Sequence, residues 1–119
     1  MFIGIVMFGH FEDITPDELR RTLEINTLGV AHGCWAALPH LKVNGGGLIV
    51  VSSLMGQVPL ALMSSYCASK HATVALIDCL RMELKQTYPN VTVTNILPGP
   101  IDTPGYDVCK SKLPSGTSW

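Results

Sequence analysis

The chain has 119 residues, enough for one domain and too few for two. Apolar residues make up 47% and charged residues 14%, a balance that supports a buried core and argues against disorder. A net charge of −1, with no basic run to neutralise a row of phosphates, argues against a nucleic-acid partner.

Residues 1–8, "MFIGIVMF", are apolar but fall far short of the ~18 or more that a membrane span needs, and no signal-peptide flank or cleavage site accompanies them. Thr15-Pro16-Asp17-Glu18 is a helix start: Thr15 can accept from orphan amides, Pro16 suits the first helical position and Glu18 completes a capping box. Leu19, Leu23, Asn26, Val30 and Cys34 then recur at the spacing of one helix face, which predicts a helix over about 16–41, bent near Asn26 or Gly29. The run Asn44-Gly45-Gly46-Gly47 breaks it.

Leu48–Val51, "LIVV", is a β-branched run apolar on both faces, the mark of a central parallel strand. It leads into Ser52-Ser53 and a loop holding Gly56 and Pro59. A second helix is predicted over 64–88, with a small-residue face of Ala68, Ala72, Ala75 and Cys79, and Pro89-Asn90 stops it. A second strand over 91–97 ends at Pro98-Gly99-Pro100. Two strands joined by a long helix make a βαβ unit with a right-handed crossover. The class is α/β, a single unit over 1–119 whose last residues, 105–119, read as an irregular tail with Lys110 and Lys112 solvated.

Cys34, Cys67, Cys79 and Cys109 are scattered, without a C-x-x-C pair or a histidine cluster, so no metal site and no disulfide framework is expected, and a reducing, cytoplasmic setting is the default. The chemistry-bearing residues lie elsewhere. Tyr66 and Lys70 stand one helical turn apart. A phenol near pKa ~10 is a poor proton donor at neutral pH unless a fixed ammonium stabilises its anion. Such pairs are common on solvated helices, so this one alone decides nothing. Ser53 ends the first strand, where open parallel sheets bind ligands. Asn26 interrupts an apolar stripe, and a buried amide left unpartnered costs about 1–3 kcal/mol. "PGPIDT", 98–103, occupies the carboxyl end of the second strand.

Asn26 in "NTLG", Ser53 in "VSSLMG", Tyr66 and Lys70 in "YCASK", and "NILPGPIDT" resemble, in order and spacing, the short-chain dehydrogenases/reductases over roughly 4–104. "ALPHLK", "IVVSSLMG" and "YCASKHA" are most similar to the microsomal eleven-beta-hydroxysteroid-dehydrogenase type and the dehydrogenase/reductase member seven branch, some of whose full-length members are anchored in the endoplasmic reticulum membrane. The resemblance implies an NAD(P)(H)-dependent oxidoreductase interconverting an alcohol and a ketone or aldehyde. Asn26, Ser53, Tyr66 and Lys70 would be catalytic. Tyr66 would be the general acid in reduction and the base in oxidation, and Ser53 would hold the substrate oxygen beside it. Lys70 would depress the tyrosine pKa and meet the nicotinamide ribose, with Tyr66 also against the cofactor. Asn26 would position a water linking Lys70 to solvent. Pro98, Gly99, Ile101 and Thr103 would receive the nicotinamide ring and its carboxamide.

The family also carries a Gly-rich turn after its first strand, and none occurs here. Gly45-Gly46-Gly47 precedes a strand instead of opening a helix, and Gly4 and Gly9 have neither the spacing nor a preceding strand. The family's N-N-A-G segment falls on residues 1–4, of which only Gly4 matches. The expected fold is therefore a partial doubly wound parallel sheet without its amino-terminal half and final strand, with the adenosine-phosphate half of the cofactor site outside this chain and stability marginal. The alternative implied is a catalytically inactive fragment or isoform. It would associate with a full-length subunit, as homo- or hetero-oligomer, through the helices at 16–41 and 64–88. The substrate, and NAD against NADP, stay open.

Overall fold

The computed structural model describes residues 4–101, the backbone of 110–111, and Lys112. A short strand β1 (Met7–Phe8) and a three-residue 3-10 turn (Phe11–Asp13) lead to helix α1 (Pro16–Leu23). The capping box forms as the sequence predicts: the Thr15 hydroxyl accepts from the Glu18 amide at 3.2 Å, and Glu18 Oε2 accepts from the Thr15 amide at 2.9 Å. The helix runs on through a π-helical turn, Glu24–Leu28, into α2 (Gly29–Asn44). In that turn the Gly29 amide reaches back five residues to the Glu24 carbonyl. The predicted bend is thus one inserted residue, centred on Asn26, and such insertions gather at functional sites.

α2 stops at Gly45 (φ 71°), whose amide donates to the Leu41 carbonyl at 2.8 Å, and Gly46 (φ 121°) turns the chain into strand β2 (Gly46–Val51). β2 pairs in parallel with β3 (Val91–Ile96), Gly46 opposite Val91 and Val51 opposite Ile96. The strand begins two residues before the apolar run because the partner sets its length. The Gly46 amide donates to the Asn90 carbonyl at 3.1 Å, and a Cβ at Gly47 would press on Thr92 Oγ1 at 3.1 Å. Helix α3 (Ser64–Thr87) crosses between the strands. Val30 and Cys34 of α2, Ile77 and Leu84 of α3, Leu48 and Val50 of β2 and Val91 and Val93 of β3 form one buried cluster, so both long helices cover the same sheet face. Among the described residues no helix is long and apolar enough to cross a membrane.

Two expectations are corrected. The carboxyl-terminal segment is not wholly irregular: β4 (Lys110–Ser111) pairs in parallel with β1. Lys112 is exposed, as expected, but it is anchored and not loose. Its amide donates to the Phe8 carbonyl at 2.8 Å, and its Nζ donates to the Asp13 carbonyl at 2.6 Å and to Glu18 Oε2 at 2.7 Å. That hydrogen bond is the main reason the Glu18 carboxyl is held down to about 2. Gly9 does follow a strand, β1, but what comes after it is a 3-10 turn and not a helix, so no phosphate-binding helix start forms there. The Cys109 thiol and the Lys110 side chain lie outside the described residues.

Candidate active site

Parallel strands leave the sheet at the same edge, and here the two exits stay laced beyond the strands. The Ser52 amide donates to the Ile96 carbonyl at 2.8 Å and the Leu54 amide to the Pro98 carbonyl at 2.9 Å, which sets Ser53 beside the Pro98 turn. Ser53 Oγ accepts from the Met55 amide at 3.1 Å and so caps the 3-10 turn Leu54–Gly56. That turn lies directly on α3. A Cβ at Gly56 would come within 2.5 Å of Val74 Cγ2 and 2.8 Å of the Lys70 carbonyl oxygen, so only glycine lets the Ser53 turn rest on the Lys70 turn of the helix.

Before α3 the chain passes through Leu62, whose φ of 67° is left-handed. For leucine that conformation costs roughly 1–2 kcal/mol. The Leu62 carbonyl accepts from the Gly9 amide at 3.0 Å, and buried Met63 follows, so a tie to the amino-terminal segment holds the strained residue in place.

Tyr66 is half-buried and Lys70 is 1% exposed. Lys70 Nζ sits over the phenol, 5.5 Å from the ring centroid. Burial disfavours the ammonium and lowers its pKa from 10.5 to about 8. Room for Nζ comes from Gly4: a Cβ there would lie 3.3 Å from Lys70 Nζ and 3.7 Å from Asn26 Oδ1, so ammonium and amide share one glycine face.

Asn26 is fully buried and its side chain is a brace. Oδ1 accepts from the Ile5 amide at 2.8 Å, and Nδ2 donates to the Ile5 carbonyl and to Ser69 Oγ, each at 2.9 Å. Ser69 Oγ in turn donates to the Tyr66 carbonyl at 2.7 Å. Thr27 donates to the Ser69 carbonyl at 2.9 Å, and Thr73 Oγ1 lies 3.1 Å from the Asn26 carbonyl and 2.9 Å from that of Ser69. The π-helical turn is therefore locked to the Tyr66–Lys70 turn by hydroxyls, and the segment Gly4–Ile5 is locked to both.

A profile of the family described as short chain dehydrogenase matches residues 3–112 of this chain. The chain belongs to the short-chain dehydrogenase family. It is 41% identical over 102 residues to the probable oxidoreductase EphD of Mycobacterium tuberculosis. It is 36% identical over 116 residues to the trihydroxynaphthalene reductase PfmaI of Pestalotiopsis fici, and 38% over 92 residues to the human dehydrogenase/reductase SDR family member 7. These alignments take in 84%, 96% and 76% of this chain but only 17%, 40% and 27% of the relatives. Among solved short-chain dehydrogenases, the Burkholderia cenocepacia enzyme in complex with NADP superposes with a TM-score of 0.78 at 34% identity, over 91% of this chain and 47% of that one. One from Streptomyces avermitilis gives 0.78 at 33%, over 86% and 38%. The chain spans less than half the length of each of these short-chain dehydrogenases.

The structure brings Tyr66, Lys70 and Asn26 together, and the Gly56 contact sets the Ser53 turn on the same stretch of α3. Pro98 stands next to this turn. Among the described residues nothing lies within 4 Å of a Cβ added at Gly99, and Ile101 is exposed. Thr103 lies outside the described residues. Reading the sequence alone does not single out Ile5, Thr27, Ser69 and Thr73. The available signal was the one-turn spacing of Ser69 and Thr73, which puts two small hydroxyls on a helix face beside Lys70.

Proposed function

We propose that this chain carries the catalytic centre of an NAD(P)(H)-dependent oxidoreductase that interconverts an alcohol and a ketone or aldehyde, with Tyr66 as general acid in reduction and general base in oxidation. The observation that carries this reading is the buried Lys70 ammonium over the Tyr66 ring. A cation held there favours the phenolate over the neutral phenol, the electrostatic help a tyrosine needs to act as acid and base.

A nicotinamide, when bound, supplies or accepts the hydride. As hydride reaches a carbonyl carbon, negative charge grows on its oxygen and the Tyr66 hydroxyl donates its proton there. Ser53 Oγ is an acceptor for the Met55 amide, so its own proton is free to donate to the same oxygen. Asn26 has committed both amide hydrogens and one lone pair. Its second lone pair, on the Gly4 face it shares with Lys70, is left to hold the water that links Lys70 to solvent. Pro98, Gly99, Ile101 and Thr103 are the residues proposed to receive the nicotinamide, a role supported by the place of the Pro98 turn beside Ser53. The NADP-bound Burkholderia cenocepacia relative supports the choice of cofactor. The adenosine phosphates would rest on parts of the fold outside these residues.

A second reading is association with a full-length short-chain dehydrogenase subunit through α1–α2 and α3, favoured by the exposed side chains of Leu28, Trp35 and Met82 on those helices. Titration of the purified chain with NADPH and NADH, followed by nicotinamide fluorescence, separates the two. Saturable binding that Lys70→Ala removes, with Tyr66→Phe binding normally but turning over nothing, supports the enzyme. An active Tyr66→Phe refutes the mechanism. Absence of nucleotide binding, together with capture of a full-length homologous subunit that Trp35→Glu abolishes, supports association.

A further inference from the structure

Asn44 and Gly45 end α2, and the same two residues have a chemistry of their own. The asparagines of the sequence are Asn26, Asn44, Asn90 and Asn95, followed by Thr27, Gly45, Val91 and Ile96. After any asparagine, the next backbone nitrogen can attack the side-chain carbonyl carbon. A β-branched residue screens that nitrogen, and glycine leaves it open. Asn44 is exposed, and a cleft of about 310 Å³, lined by Asn44, Gly45, Tyr88 and Asn90 among others, admits water beside it.

The native turn holds both reacting groups. The Gly45 amide donates to the Leu41 carbonyl at 2.8 Å, and Asn44 Nδ2 donates to the His40 carbonyl at 3.0 Å. Ring closure also requires Asn44 to leave its helical backbone angles, because the Gly45 nitrogen has to swing onto Cγ. Val43, just before it, is 83% exposed and adds little packing to this last turn. Helix ends of this kind open locally far more readily than a core does.

We propose that Asn44 is a site of spontaneous deamidation, gated by opening of the last turn of α2. The Gly45 nitrogen gives up its proton to water and bonds to Asn44 Cγ. The Cγ–Nδ2 bond breaks, and Nδ2 takes up a proton and leaves as ammonia. Water then opens the succinimide at either carbonyl, which leaves aspartate or isoaspartate. None of these steps involves Tyr66 or Lys70, so they stand apart from the oxidoreductase reading. A carboxylate at position 44 faces the negative end of the α2 dipole and takes the donor away from the His40 carbonyl. An isoaspartate also adds a methylene to the main chain just before Gly45 and Gly46. Gly45 packs on the Asn90 carbonyl and the Gly46 amide donates to it, where β2 begins to pair with β3. The product is a chain whose sheet frays at its amino edge, the end away from Ser53.

The test incubates the purified chain at mildly alkaline pH, folded and in urea. The tryptic peptide Val43–Lys70, whose one asparagine is Asn44, is then followed by mass spectrometry and by labelling with isoaspartyl methyltransferase. Acid should replace amide at position 44 in both samples, about tenfold more slowly in the folded chain, and Asn44→Gln should stop it on the same time scale. Val43→Ala and Val43→Gly change only helix propensity at an exposed position. Folded, the glycine variant should convert about fivefold faster than the alanine variant, and in urea the two should convert alike. An unfolded chain that does not convert refutes the site. A folded chain that converts as fast as the unfolded one, or a Val43 pair that does not differ when folded, refutes the gate. Unchanged hydrogen exchange at the Gly46 amide of the isoaspartate product refutes the fraying.

Discussion

Replacing Gly56 by alanine tests whether the Ser53 turn is seated on α3 as described. The new Cβ would meet Val74 Cγ2 at 2.5 Å and the Lys70 carbonyl oxygen and carbon at 2.8 and 3.2 Å. Carbon atoms rest comfortably at about 3.5–4.0 Å, so the turn must retreat by roughly 1 Å. Neither neighbour can yield: the carbonyl belongs to the backbone of a long helix, and a β-branched valine in a helix has one strongly preferred rotamer. The whole displacement therefore falls on Leu54–Gly56 and carries Ser53 with it. Overpacking of this kind costs about 1–3 kcal/mol. For a chain of this length each kcal/mol moves the midpoint by about 4 °C, so thermal unfolding followed by circular dichroism should fall by about 4–12 °C. Gly99→Ala, which meets nothing within 4 Å among the described residues, is the control and should leave the midpoint unchanged or slightly raised. A Gly56→Ala midpoint equal to that of the parent would mean that the Ser53 turn does not lie on the Lys70 turn, and the site would have to be redrawn.

Lys70→Met should change the pH dependence of stability with a definite sign. The folded pKa, about 8, lies below the ordinary 10.5, so between those values the unfolded chain holds more protons and stability from this group rises with pH. The variant should lose that rise, and urea midpoints measured from pH 7 to 11 that keep the same slope would contradict the burial of the ammonium. Glu18 has the same sense in a lower window: its carboxyl is depressed from 4.5 to about 2, so its contribution is whole above 4.5 and is lost as pH falls toward 2. Glu18→Gln should flatten that acid limb and speed hydrogen exchange at the Lys112 amide, which is bonded to Phe8; unchanged exchange would deny the tie. Asn26→Ala strips the partners from the part-buried Ile5 amide and carbonyl, at a cost of about 1–3 kcal/mol. Asn26→Asp keeps the acceptor for the Ile5 amide and loses both donors, so exchange protection at Ile5 should vanish in the first variant and persist in the second.

Local rules account for what could be read without coordinates. The start of α1 was legible because capping is decided within four residues, and β3 because its ends are marked by Asn90 and Pro98. The start of β2 was not, since Gly46 and Gly47 join the strand only through pairing with Val91 and Thr92, far along the chain. The bend at Asn26 was legible as a place and not as a geometry: one inserted residue leaves no mark in a pattern of apolar spacings. Tyr66, Lys70 and Ser53 could be named from their neighbours. Gly56 could be seen as a loop residue, but its function is a contact with the Lys70 carbonyl, which only the packed helix reveals. The exposure of Lys112 was legible from its charge, but its tie to Glu18, 94 residues away, was not.

The tie from Lys112 to the Asp13 carbonyl joins groups 99 residues apart, whereas Asn26 and Ser69 are separated by 43. Closing the longer loop costs only about 0.6 kcal/mol more per doubling of length, so equilibrium hardly distinguishes the two. Time does distinguish them, because contacts distant along the chain form late. A chain emerging residue by residue completes the buried ammonium and its hydroxyl lattice first. The tie from Lys112 to Asp13 and Glu18 can form only after those contacts, once residue 112 has joined the chain.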